Sequence, residues 1–155
     1  MDAKLVNPII DSFKELMPQM GFPEPVQQKV SMQEDFVKSN GVTVEVGFIR
    51  QLRGVVVYNM TEDAAKYIAS TMMMGVPVTK FGELVQSAIR EMGNMLTARA
   101  ATHFTELGLD VDITTPKLTI DGSHSVKICD GRYLNIAMGL GEHRVDIALS
   151  VDRAV

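Results

Sequence analysis

Ser87, Glu91 and Asn94 stand four and three residues apart in a stretch whose apolar positions recur at helical spacing, so one line along a helix carries all three. On a wheel of about 100° per residue they share with Ala98 a stripe of roughly 60°. The opposite, broad apolar face is made of Leu84, Val85, Ala88, Ile89, Met92, Met95 and Leu96. A carboxylate and a carboxamide then point outward together beside small residues. The amide can accept from and donate to a water without becoming charged. Taken alone, the stripe also fits an ordinary solvated helix surface. Against that stands the pair Gly93-Asn94, which accepts about 1 kcal/mol or more of helix propensity where Ala would be better.

The helix that must hold these residues runs from about Phe81 to Leu107, with Gly108 as its stop. An earlier helix is expected over Leu5–Met20, ended by Gly21-Phe22-Pro23-Glu24-Pro25, and a second over Glu62–Met74, capped by the Thr61 hydroxyl and stopped by Gly75 and Pro77. Val42–Phe48 (VTVEVGF) mostly alternates and Gly54–Met60 (GVVVYNM) is a β-branched run, so the two read as a hairpin turning through Ile49–Arg53. After Gly108 come five strand-like segments: Val111–Thr114, Lys117–Ile120, Ser125–Cys129, Tyr133–Met138 and Val145–Val151. Turn pairs such as Asp121-Gly122 and Asp130-Gly131 separate them.

Asp11, Glu15 and Pro18 in the first helix repeat the spacing of Ser87, Glu91 and Asn94 at a constant offset of 76 residues. Two helix-plus-hairpin halves sharing one sheet would account for this. An α+β chain with a pseudo-twofold internal repeat is therefore expected, in one domain spanning residues 1–155.

The 155 residues carry 15 Lys+Arg against 19 Asp+Glu, a net charge of −4, with the basic residues scattered. That excludes the clustered basic face of a phosphate-backbone binder, so nucleic acid is not an expected partner. With 46% hydrophobic residues the chain can bury a real core, yet no run approaches the ~20 consecutive apolar residues of a membrane span. Cys129 is the single cysteine and the start Met1-Asp2-Ala3-Lys4 has no apolar run, which together point to the cytoplasm. His103, His124 and His143 lie about twenty residues apart without ligand spacing, so no metal site is expected. Gly139-Leu140-Gly141 reads as a hairpin turn, Met72-Met73-Met74 as packing, and Asp110 with Asp112 as solvated strand charges.

The segment Glu83–Met95 (ELVQSAIREMGNM), with its S-x-x-x-E-x-x-N core, resembles the signature of the CheC/CheX/FliY phosphatases of bacterial chemotaxis, and the CheX branch fits it best. Val111–Pro116 (VDITTP) and the stretch from Gly54 to Gly75 are similar to that family as well. The resemblance implies a two-layer sandwich, an antiparallel sheet of roughly six strands packed against about three helices, and hydrolysis of the aspartyl phosphate on a phosphorylated CheY-type response regulator. It gives the enzyme no cofactor of its own, the Mg²⁺ being supplied in the partner's active site. In the family pattern Asn94 would hold the attacking water, Glu91 would pair with the regulator's lysine, and Ser87 would stand at the rim. Ala98 falls where relatives often carry Gly, which adds a methyl beside the approaching partner. The first copy ends in Pro18, which offers no amide, so one active site per chain is expected, in a homodimer. The alternative is a non-catalytic docking module that uses the same helix to bind a response regulator or a flagellar switch component.

Overall fold

The computed structural model describes residues 2–154. Three helices, α1 (Ala3–Gln19), α2 (Glu62–Met72) and α3 (Glu83–Glu106), lie against a sheet of seven strands: β1 (Val26–Lys38), β2 (Val42–Arg50), β3 (Leu52–Met60), β4 (Val111–Ile113), β5 (Lys117–Ile120), β6 (Ser125–Leu140) and β7 (His143–Arg153). Every pairing is antiparallel, in the order β1-β6-β7-β3-β2, with β4 and β5 both on the outer edge of β2.

The alternation read from the sequence becomes the inner face of the sheet. Val42, Val44, Val46 and Phe48 of β2 are buried with Val56, Tyr58 and Met60 of β3, beneath Phe13 of α1, Ile68 of α2 and Ile89, Met92, Leu96 and Phe104 of α3. The opposite face carries a smaller cluster in which Val126, Ile128 and Tyr133 of β6 and Val37 of β1 pack on Val57 and Ala148.

The repeat is visible in the topology. Exchanging β3 with β7, β2 with β6, β1 with the β4/β5 pair and α1 with α3 maps the pairing order onto itself. Each half contributes a hairpin, β2-β3 or β6-β7, and the outer strand of each half pairs with the other half's hairpin. β3 and β7 meet at the centre. There Gly54 (φ +139°) comes so close that a Cβ would lie 2.0 Å from the Ser150 carbonyl oxygen.

Several expectations are corrected. The antiparallel sheet of roughly six strands is present with seven, but its strands are drawn differently: Ser125–Cys129 and Tyr133–Met138 are one strand, β6, and the polar segment Val26–Lys38 adds β1, which the sequence pattern gave no reason to draw. Ile49 and Arg50 belong to β2, held there by pairing with Asp112 and Val111, so the turn narrows to Gln51. Asp130-Gly131 does not reverse the chain; it bends β6. The β1–β6 register jumps between Glu34↔Arg132 and Phe36↔Lys127, and the Gly131 N–H donates to Asp35 Oδ1 at 2.7 Å. Asp35 (φ 58°) and Gly131 (φ 126°) take the positive φ values that such a bulge needs. α2 ends at Met72, and only Met72 and Met73 pack on the core, since Met74 is 96% exposed. Gly141-Glu142 is the β6–β7 turn, and Asp110 and Asp112 both lie near Arg50, at 3.3 and 3.9 Å.

Candidate active site on the third helix

α3 is held to the sheet by its buried side. Thr97, one turn beyond the candidate amide, donates its hydroxyl hydrogen to the Gly93 carbonyl at 2.7 Å, and its oxygen lies 3.0 Å from the Tyr58 hydroxyl of β3. Both side chains are fully buried. Burial pushes the Tyr58 phenol well above its ordinary range, with only partial opposition from the Thr97 hydrogen bond, so it stays a neutral donor. Gly93 has a packing reason as well: a Cβ there would meet Val44 Cγ2 at 3.0 Å and Cγ1 at 3.1 Å. Its helix-propensity penalty is thus explained by the close approach of α3 to β2, and only Asn94 keeps an unfavourable local choice without a structural cause.

The outer side carries the stripe. Ser87, Glu91 and Ala98 are exposed and Asn94 is half-buried. Three residues apart on a helix, Glu91 and Asn94 have side chains rooted about 5–6 Å from each other, close enough to meet one small group. Among the described residues Glu91 enters no ion pair, whereas the glutamate at the matching position of α1 does. Glu15 accepts from Arg99 at 2.9 and 3.0 Å and lies 2.9 Å from His103 Nε2, both on α3. Burial alone would raise its carboxyl, but the Arg99 hydrogen bond and the nearby charges of His103 and Arg99 hold it below the ordinary value. Pro18 sits inside α1 and presents no amide. Of the two sequence copies, only the one on α3 presents a free carboxylate and a free carboxamide.

Leu84 corrects the sequence reading. It was expected on the apolar face, yet it is 72% exposed in the first turn of α3, about 20° from Glu91 on the wheel and so on the stripe's edge. The chain before it, Val76–Gly82, forms a loop rather than a supporting strand or helix. Apart from Leu84, the expected apolar face is buried or half-buried. The contact of Glu15 with Arg99 and His103 had no signal in the sequence beyond the matching spacing of the two helices. No group of three metal-ligating side chains occurs among the described residues, and none of the helices described is long and apolar enough to cross a membrane.

Comparison with known proteins agrees with this architecture. Residues 42–134 match the family model described as chemotaxis phosphatase CheX. The CheY-P phosphatase CheX of Thermotoga maritima is 31% identical over 153 residues, covering 97% of each chain. Among solved structures, a CheC-like superfamily protein from Shewanella sp. PV-4 superposes with a TM-score of 0.87 at 21% identity, over 98% of this chain and 99% of that one. A CheX–CheY–BeF₃–Mg²⁺ complex from Borrelia burgdorferi matches with a TM-score of 0.77 at 20% identity, over 94% and 96%. These two structures share the fold. The family match over 42–134 and the full-length relative go further: a chain folded as two α-β-β-β halves, with its one unspoiled S-x-x-x-E-x-x-N stripe facing outward on α3, belongs to the chemotaxis phosphatase CheX family.

Proposed function

We propose that this protein is a phosphatase of the aspartyl phosphate on a CheY-type response regulator, working as a single domain in the cytoplasm. The reading is supported by the activity in the name of the Thermotoga relative and by the CheY partner in the Borrelia complex. The observation that carries it is the exposed Glu91 beside the half-buried Asn94 on α3, with Glu91 free of the ion pairs that occupy its counterpart on α1.

The chemistry asks little of the chain itself. The acyl phosphate and its Mg²⁺ sit on the regulator, so rate is gained by orienting a water in line with phosphorus. Asn94 enters the regulator's site, accepting a hydrogen bond from the water through its amide oxygen or donating one through its amide N–H₂. The water oxygen bonds to phosphorus as the bond to the aspartyl oxygen breaks. The products are inorganic phosphate, which takes up the water's proton, and a free carboxylate on the regulator. Glu91 pairs with a lysine of the regulator and fixes the depth of entry; it is a clamp, not a base. Ser87 lines the rim, and Ala98 bounds the stripe on the other side with a single methyl.

The enzyme also acts as a homodimer in this reading. β1 is an edge strand that exposes Val30 and Met32, 48% and 50% accessible, which is the kind of edge a second chain covers. Sedimentation of the free chain reads the assembly directly.

The test of the activity is the decay of a ³²P-labelled receiver domain with Mg²⁺, alone, with the wild-type protein and with Asn94→Ala. Acceleration by the wild type that Asn94→Ala abolishes while still binding the regulator supports the assignment. A wild type that binds without changing the decay makes the protein a docking module.

A further inference from the structure

From the apolar surface at the start of α3 we infer that the regulator's footprint runs from the Glu91–Asn94 pair toward the α2–α3 loop, with Leu84 as its apolar anchor. This rests on the phosphatase reading above. A specific interface covers about 800 Å² per partner, roughly a disc of 16 Å radius. Leu84 lies seven residues from Glu91, about 10 Å along the axis, so a partner centred on Glu91 and Asn94 reaches it.

The two directions along α3 are chemically unequal. Toward the C-terminus the stripe continues as Ala98, Thr102 and Thr105, and both threonine hydroxyls turn back onto the helix's own carbonyls, those of Ala98 and Ala101. Beyond the stripe there, Arg99 and His103 are engaged with Glu15. The exposed apolar side chain at that end, Leu107 of the C-cap (60%), lies thirteen residues and about 20 Å from Asn94, beyond such a disc. Toward the N-terminus Leu84 is the one large apolar side chain that α3 exposes. With Val76, 55% exposed, it lines a groove of about 350 Å³ to which Met73 and Val78 also contribute. Anchors of interfaces are large side chains in desolvated pockets, and the polar pair Glu91–Asn94 supplies none.

Leu84 would contact the regulator alike before and during phosphoryl transfer, so its loss acts on binding, whereas loss of Asn94 acts on turnover. The experiment uses a CheY-type receiver domain activated with beryllofluoride and Mg²⁺ for affinity, and the ³²P-labelled form for kinetics. Leu84→Asp is expected to weaken binding and raise KM by about tenfold or more while kcat changes less than about twofold. Leu84→Met should behave as wild type. Unchanged affinity for Leu84→Asp overturns the inference, as does a smaller sedimenting species with regulator binding intact, because a second copy would then cover the patch. Wild type and Asn94→Ala in the same assay separate the two ideas: a wild type that leaves the decay unchanged refutes the phosphatase reading whatever Leu84 does, and an Asn94→Ala variant that hydrolyses like an active wild type removes the role given to Asn94.

Discussion

The contact that fixes α3 to the sheet lends itself to a double-substitution cycle. Tyr58 donates to Thr97 Oγ1 at 3.0 Å, and Thr97 donates onward to the Gly93 carbonyl at 2.7 Å, with both side chains fully buried. Tyr58→Phe removes one hydrogen bond but leaves the Thr97 hydroxyl bound to Gly93, so the loss is about 1 kcal/mol. Thr97→Val keeps the branched shape and strands the phenol hydroxyl in the core. That is the more expensive defect, on the order of 2 kcal/mol and up to about 3. With both changes no orphaned donor remains, and the double variant should lie near Tyr58→Phe, about 2 kcal/mol short of the summed single effects. Urea unfolding of the four proteins, checked for a common m-value, measures the cycle. Thermal midpoints should follow at about 2–4 °C per kcal/mol for a chain of this length. Additivity within about 0.5 kcal/mol, or a Thr97→Val variant no weaker than Tyr58→Phe, would refute the donor order assigned here.

Two further outcomes are expected. Gly54→Ala sets a methyl 2.0 Å from the Ser150 carbonyl oxygen at φ +139°, where the β3–β7 backbone cannot yield cheaply. Urea unfolding should show a loss of about 3 kcal/mol or more, and a loss under about 1 would disprove the close approach. Glu15→Gln tests the clamp between α1 and α3. Because the folded-state carboxyl sits below its ordinary value of 4.5, the ionised pair contributes stability above that pH and loses it as pH falls through the folded value. The advantage of wild type over Glu15→Gln should therefore be full near neutrality and shrink below about pH 4.5; a gap that is flat with pH would remove the ion pair from the account.

Period was what made the site readable. Ser87, Glu91, Asn94 and Ala98 share one helical line, and α3 is long enough for that line to survive any error in its ends. VTVEVGF showed its buried face for the same reason in a strand. Where a residue's environment is set by a distant partner, the local pattern was silent or misleading. β1 is mostly exposed and polar because it lies at the sheet's edge, and its place depends on β6. Asp130-Gly131 carries real turn chemistry, but Asp35 uses it to bend a strand instead of ending one. Leu84 faces solvent because it sits at the edge of the outward stripe, about 20° from Glu91 on the wheel, while its neighbour Val85 in the same turn is buried. Gly93 shows the converse: a local penalty that looked functional is answered by Val44 across the helix–sheet boundary.

The engagement of Glu15 sets what it would take to make α1 a second site. Replacing Pro18 by Asn would restore an amide to α1, but its glutamate would still be bound to Arg99 and His103. Releasing it requires changing those two residues, and both belong to the helix that carries the proposed Glu91–Asn94 pair. A second site is therefore not one substitution away. The first copy's glutamate thus helps tie α1 to α3, and freeing it for a partner means giving up those contacts.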